Sequence, residues 1–250
     1  MTEDGPLRLD LALVARGLAP TRSRARDLIV RGLVAVDGAV ATKPALALHA
    51  ATPITVLTDD AFAASRGGLK LKAGLDAFGF SPAAQIVLDV GASTGGFTEL
   101  LLERGAAKVY AVDVGRDQLH ARLRADPRVV SLEGQDSRTL DAGLIPEPIR
   151  AIVCDVSFIS IMKALPAALA LAAPDAWLVA LVKPQFEVGR AAIGKGGIVR
   201  DEAAKVAVCA EIAHWLQSPM GWSVVPLIAS PIVGGSGNTE FLLGATRGNG

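Results

Sequence analysis

The sequence predicts an α/β fold: a mostly parallel sheet covered by helices on both faces, ending in an antiparallel C-terminal hairpin and preceded by a small α+β domain. Three observations carry this expectation. From residue 85 onward short apolar strands alternate with helical segments, the pattern of crossover connections. Those strands (QIVLDV, KVYAVDV, AIVCDV, WLVALV) are near-continuous apolar runs, so both of their faces are covered. The stretch from Arg8 to Thr58 differs: it holds two short helices, a hairpin signal and seven Arg or Lys against three Asp.

The elements follow in order. LDLALVARG, residues 9–17, is a short helical pattern stopped by Gly17, and Thr21 caps a second that runs to about Arg31, where Gly32 ends it. On the second helix Ala25, Leu28 and Ile29 share one face. Arg22 and Arg26 lie on one flank, Arg24 and Arg31 on the other. LVAVDGAVATKP reads as a hairpin about Asp37-Gly38, and PITVLT as a further strand. DDAFAASRGG, residues 59–68, breaks the pattern and is expected to be a linker between an N-terminal domain, 1–58, and a larger domain, 69–250. LKLKAGLDAFGF then enters the larger domain as a helix. The strand–helix alternation ends with a long helix over 201–216 and two strands, WSVVPLIAS and TEFLLGAT. No helix separates those two, so they are expected to pair antiparallel at the sheet edge.

Composition bounds the classes. Hydrophobic residues make up 51% of the 250 and charged residues 20%, enough for a sizeable core and not a disordered composition. The formal net charge is zero, so any nucleic-acid signature is local to the N-terminal domain. Cys154 and Cys209 sit in apolar runs, and three scattered histidines complete no metal pattern, so neither a disulfide framework nor a metal site is expected. No basic and apolar leader follows Met1, and a reducing cytoplasm is expected. Ala164 to Val182 spans nineteen residues with Asp175 as its single charge. Pro166, Pro174 and Asp175 interrupt it, which favours a helix, a turn and a buried strand over a membrane span.

LDVGASTGGFT follows the first strand of the larger sheet and opens a helix. A glycine-rich turn there lets a ligand approach backbone N–H groups at the helix start. Its spacing is not that of the dinucleotide fingerprint, and strand–loop–helix followed by an acid serves both nicotinamide and S-adenosylmethionine folds. The candidate ligand residues are Asp89, Gly91, Ser93, Gly95 and Gly96 of this motif, Asp113 at the end of the next strand, and Asp136 after the third. Asp113 would accept ribose hydroxyls, and Asp89 would orient the loop. Four residues stand out for chemistry. Lys70 lies just before the sheet, Asp155 ends AIVCDV, Lys183 ends WLVALV and Glu240 begins the last strand. Strand carboxyl ends border the ligand crevice in open α/β sheets.

Together the motifs SRGGLKL, LDVGASTGGFT, CDVSFIS, LVKPQFE, GKGGIVRD and NTEFL resemble the TlyA family, whose members are often called haemolysins. The larger domain is similar to FtsJ-type ribose 2′-O-methyltransferases. The segment RLDLALVARGLAPTRSRARDLIVRGLVAVDG resembles the small RNA-binding module named for ribosomal protein S-four. The resemblance covers nearly the whole chain in family order. It implies a Rossmann-like fold, S-adenosylmethionine as cofactor, and a Lys-Asp-Lys-Glu tetrad falling on Lys70, Asp155, Lys183 and Glu240. It also implies methylation of cytidine 2′-oxygens in ribosomal RNA, with ribosomal RNA or ribosomal subunits as partner and no stable membrane association. A membrane-active protein, as the haemolysin name suggests, is the alternative. A non-catalytic assembly factor is a third reading, disfavoured by the complete tetrad.

The residue chemistry agrees with the resemblance. A ribose hydroxyl becomes a nucleophile when its proton is shared with a base, and a lysine serves when burial and a neighbouring cation favour its neutral form. In the N-terminal module Arg8, Arg16, Arg22, Arg24, Arg26 and Lys43 are the candidate phosphate contacts. No Phe, Tyr or Trp occurs from Met1 to Ala61, so this module is expected to read RNA shape and backbone rather than to stack on bases.

Overall fold

The computed structural model describes residues 6–19, 22–30, 32–56, 59–189, 192–194, 196–234 and 237–248. Thr21 and Arg31 lie outside the described residues, as does the side chain of Arg24. The chain divides into two units, Met1–Phe62 and Ala63–Gly250.

The first unit runs β1 (Leu7–Arg8), α1 (Leu9–Ala15), α2 (Arg22–Val30), β2 (Val34–Val36), β3 (Ala39–Val40), β4 (Ala47–Leu48) and β5 (Ile54–Val56). The hairpin forms at the expected place: β2 and β3 pair antiparallel across Asp37 (φ 50°) and Gly38 (φ 78°), a two-residue turn that needs positive φ at both positions. β5 pairs with the other edge of β2, while β1 and β4 form a separate two-residue ladder. Leu9, Leu13, Ala25, Leu28 and Ile29 of the two helices close a small core with Leu33 and Val34.

The second unit takes most of α3 (Asp59–Phe78) and then β6 (Ile86–Val90), α4 (Gly96–Glu103), β7 (Lys108–Asp113), α5 (Ala121–Arg124) and β8 (Val129–Glu133). After a 3₁₀ turn at Ser137–Thr139 come β9 (Ile149–Cys154), α6 (Ile161–Ala164), α7 (Pro166–Ala170), β10 (Ala172–Val182), α8 (Pro184–Glu187), α9 (Glu202–Gln217), β11 (Trp222–Ala229) and β12 (Phe241–Arg247). The expected break at 59–68 is helical instead. Gly67 and Gly68 are not helix stops there: a Cβ on Gly68 would lie 3.5 Å from the Gly96 carbonyl oxygen, and one on Gly67 3.6 Å from the Phe97 ring. Both distances are ordinary van der Waals contacts, so α3 packs beside the start of α4 without a clash at either position. The single helix expected after β9 is two, because Pro166 supplies no N–H to continue the first.

The sheet order is β11-β12-β10-β9-β6-β7-β8. Pairing is parallel from β10 to β8, and β12 runs antiparallel between β10 and β11. Alternate residues of each strand enter two cores. Leu88, Val90, Ile152, Leu178 and Ala180 pack with Ile161, Leu165, Ile212 and Leu216 of α6 to α9. On the other face Val87, Val109, Val153 and Val179 pack with Leu71 and Leu75 of α3, Leu101 of α4 and Leu123 of α5. Each fully buried aliphatic side chain of this kind is worth about 1.5–3 kcal/mol. The apolar run 164–182 is thus α7 and β10, with Asp175 at φ 64° in an irregular stretch of β10. Among the described residues no helix is long and apolar enough to cross a membrane.

Candidate active site and cofactor cavity

Consecutive strands diverge at β6, which has β7 on one side and β9 on the other. Such a switch point opens a crevice at the strand carboxyl ends. A cavity of about 580 Å³ lies there, lined among others by Gly91, Ser93, Asp113, Asp136 and Asp155. Gly91, at φ 87°, is forced by the crossing of the two strand ends: a Cβ there would stand 2.7 Å from the Asp155 carbonyl oxygen. Gly95, at φ 100°, serves packing instead, since a Cβ would reach 2.2 Å from Leu123 Cδ1. Gly96 is the first residue of α4. Gly95, Gly96 and Asp89 are not among the lining residues.

The three acids of this region differ in environment. Asp89 is fully buried on the α4 face, where its Oδ2 accepts the Thr98 hydroxyl at 2.7 Å and its Oδ1 has no partner. Burial, with smaller contributions from Asp155 and Asp113, pushes its carboxyl up to about 7. Asp113 accepts the Ser93 N–H at 2.8 Å through Oδ2 and the Gly115 N–H at 2.7 Å through Oδ1, so it ties the glycine loop to the turn after β7. Asp136 caps the 3₁₀ turn through the Arg138 N–H at 2.9 Å and pairs with the Arg138 guanidinium, which holds its carboxyl down at about 2.

The four residues marked for chemistry form two ion pairs. Lys183 Nζ lies 2.6 Å from Asp155 Oδ1 and donates a hydrogen bond to Ser157 Oγ at 2.9 Å. The contact to Asp155 is an ion pair outside hydrogen-bond alignment, and Asp155 Oδ1 has no hydrogen-bond donor of its own. Lys70 Nζ donates to Glu240 Oε2 at 2.6 Å, with both side chains buried. Asp155 lines the cavity, so the first pair joins the crevice directly. Asn238 fixes the approach to Glu240: its side chain accepts the Val199 N–H and donates to the Gly197 carbonyl, both at 2.9 Å. Among the described residues no cluster of three His, Cys, Asp or Glu could hold a metal ion.

The geometry has counterparts among known proteins. A model described as FtsJ-like methyltransferase matches residues 63–247, and one described as S4 domain matches 7–51. The 16S/23S rRNA (cytidine-2'-O)-methyltransferase TlyA of Mycobacterium tuberculosis is 48% identical over 94% of this chain and 88% of its own. The chain belongs to the TlyA family of FtsJ-like methyltransferases. Hemolysin A of Brachyspira hyodysenteriae is 39% identical over 94% of this chain and 98% of its own, so the family carries both names. A solved structure from Streptococcus thermophilus, named as a candidate hemolysin, superposes with a TM-score of 0.75 at 38% identity, covering 98% of this chain and 90% of that one.

In this TlyA-family chain several candidate RNA contacts of the first unit are already engaged within it. Asp10 is fully buried and accepts both Arg8 Nε, at 3.0 Å, and Arg22 Nε, at 3.1 Å. The bond from Arg8, then that from Arg22, outweighs burial and lowers the Asp10 carboxyl to about 2. Arg16 donates to the carbonyl oxygens of Thr52 and Ala50 at 2.7 and 2.8 Å, closing the turn before β5. Arg26 and Lys43 are exposed. Local charge patterning does not separate these fates, because the partner groups lie up to 36 residues away in sequence. The motif CDVSFIS held two further site residues that the sequence reading passed over. One is Ser157, on Lys183. The other is Phe158, 91% exposed at φ 66°, lining the cavity with its ring 5.0 Å from that of Phe186. An aromatic in a polar strand-end loop beside a candidate catalytic acid was the available signal.

Proposed function

We propose that this chain transfers a methyl group from S-adenosylmethionine to the 2′-oxygen of a cytidine ribose in ribosomal RNA. The observation that carries the reading is the Lys183–Asp155 ion pair opening onto the cavity at the end of β6 and β9. The cavity fits the cofactor in size and chemistry: about 580 Å³ is within the range of ligand sites, and its rim offers the carboxylates of Asp113 and Asp136 and a bare backbone at Gly91 that a Cβ would close. Asp113 is the acceptor for ribose hydroxyls, with Gly91, Ser93 and Asp136 completing the hold. When bound, S-adenosylmethionine supplies an electrophilic methyl on a sulfonium.

The residues of the chain do the rest. Lys183, as neutral amine, takes the proton of the ribose hydroxyl, and Asp155 stabilises the ammonium that results. Ser157 keeps Nζ aimed toward the loop. Lys70 and Glu240, joined as a buried ion pair, complete the tetrad. Alignment of the reacting atoms supplies most of the rate, since effective molarity alone is worth about 7–11 kcal/mol. Phe158 offers an exposed face for a base drawn out of the RNA. The first unit supplies phosphate contacts from Arg26 and Lys43, and the protein works in the cytoplasm with its ribosomal RNA.

Transfer of tritiated methyl groups to ribosomal subunits, with mass-spectrometric mapping of the modified nucleotide, tests this. Lys183→Ala is expected to abolish transfer and to leave cofactor affinity within about twofold, because only an interaction of the transition state is lost. Normal turnover in Lys183→Ala assigns the proton to another group. Liposome leakage with no methyl transfer would favour the membrane-active reading that the name Hemolysin A suggests.

A further inference from the structure

The motif LVKPQFE contributes Lys183 to the site, and its last residue has no part in the reading so far. We propose that Glu187 is a positioning residue for methyl transfer. Through its bond to the Ile161 N–H it locks the loop that carries Asp155, Ser157 and Phe158 onto the short helix that follows Lys183. The inference rests on the reading of Lys183 as base.

α8 follows Lys183 directly and is closed by the Phe186 N–H donating to the Lys183 carbonyl oxygen at 2.9 Å. From its last turn Glu187 Oε1 accepts the Ile161 N–H at 2.9 Å. One residue earlier the Phe186 ring meets Phe158. At the near end Lys183 itself reaches Ser157 and Asp155. The segments 155–161 and 183–187 are therefore fastened at both ends and in the middle. The distal fastening is made by a carboxyl group whose second oxygen, Oε2, is buried without a partner. An unsatisfied buried oxygen costs stability, so an acid is a poor choice for filling space here. Its compensation is the acceptor that it offers to Ile161 at the start of α6. Burial raises the Glu187 carboxyl above its ordinary value, and Glu211 of α9 pushes the same way. What the Ile161 N–H needs at that point is an acceptor oxygen.

This separates three substitutions in the full-length protein. Glu187→Gln keeps an acceptor oxygen at the same reach. Glu187→Asp keeps the acid but withdraws it by one methylene, and Glu187→Ala removes the acceptor. Glu187→Ala and Glu187→Asp are expected to lower kcat on ribosomal subunits by about tenfold to 100-fold, the scale of a misplaced reacting group. KM for RNA and the calorimetric Kd for S-adenosylmethionine should stay within about threefold, with binding stoichiometry near one. Glu187→Gln is expected to hold kcat within about threefold of wild type. A merely structural role would lower the stoichiometry in step with activity, and that result overturns the proposal. So does Glu187→Gln as slow as Glu187→Ala, or Glu187→Asp at wild-type kcat, a contrast that stands even if Glu187→Ala fails to fold. Lys183→Ala distinguishes the two levels. Normal turnover there removes the base reading and this inference with it. An inactive Lys183→Ala beside fully active Glu187→Ala and Glu187→Asp overturns the inference alone.

Discussion

Both carboxylate oxygens of Asp113 are held by backbone N–H groups, those of Ser93 and Gly115, before any ligand is considered. Its removal therefore takes away a ribose acceptor and also unties the glycine loop. Asp113→Ala is expected to weaken S-adenosylmethionine binding by about 1.5–3 kcal/mol, the worth of a hydrogen bond to a charged group, and calorimetry showing unchanged affinity would remove Asp113 from the site. Asp89 ties stability to pH. Its carboxyl, ordinarily at 3.8, is raised to about 7 in the folded chain. Between those values the folded state keeps a proton that the unfolded state has released, so stability falls as pH rises from about 4 toward 7 and levels off above. Asp89→Asn keeps an acceptor for the Thr98 hydroxyl and removes the titration. Its unfolding free energy relative to wild type should climb by up to about 1.4 kcal/mol per pH unit across that window. Denaturant unfolding at several pH values reads this directly, and parallel curves for the two proteins would place the proton elsewhere.

At the scale of elements, the first unit shows how a cation that looks available becomes part of the fold. Arg16 bridges the end of α1 to the turn that precedes β5. Arg16→Ala is expected to lower the thermal stability of the chain by the worth of one or two hydrogen bonds, about 0.5–1.5 kcal/mol each, and to leave the salt dependence of RNA binding unchanged. Replacing Arg26 and Lys43 should have the opposite effect, flattening the plot of affinity against salt by about one unit per lost phosphate contact. Binding measured at several salt concentrations for both variants decides it; equal slopes for the Arg26 and Lys43 variant and wild type would move the RNA contact to another face. The glycines of LDVGASTGGFT divide in the same manner. Gly91 lets β6 and β9 close on each other at the cavity, and Gly95 lets Leu119 and Leu123 pack beneath the loop.

For the molecule as a whole, the cofactor cavity and both ion pairs belong to the unit Ala63–Gly250, while the cations expected to meet RNA lie in Met1–Phe62. A chain of residues 59–250, which keeps α3 whole, is therefore expected to bind S-adenosylmethionine with an affinity within about threefold of the full protein, since binding needs only local contacts. Its methyl transfer to ribosomal subunits should be severely reduced. Calorimetry and a transfer assay on the same preparation test both halves of this statement, and full activity without residues 1–58 would show that the small unit does not present the RNA.

What the sequence determined by itself was whatever is written in local pattern. Apolar runs alternating with helices specified the parallel sheet, because strands covered on both faces are near-continuously apolar. Asp37-Gly38 specified the hairpin through its backbone conformation, and the strand-end placement of Asp113, Asp155 and Lys183 followed from the strand ends themselves. Motif order then carried the family. Tertiary structure decided the rest, since it depends on residues distant in sequence. Gly67 and Gly68 looked like a helix stop, yet α3 runs straight through them, with Gly96 and Phe97 of α4 beside that face. β1 and β4 are two-residue strands, too short for any period to show, and exist only by pairing with each other. Lys70 found Glu240 across 170 positions, Arg8 and Arg22 found Asp10, and Glu187 found Ile161. Long side chains have several partners within reach of any local pattern, and only the packed fold selects among them.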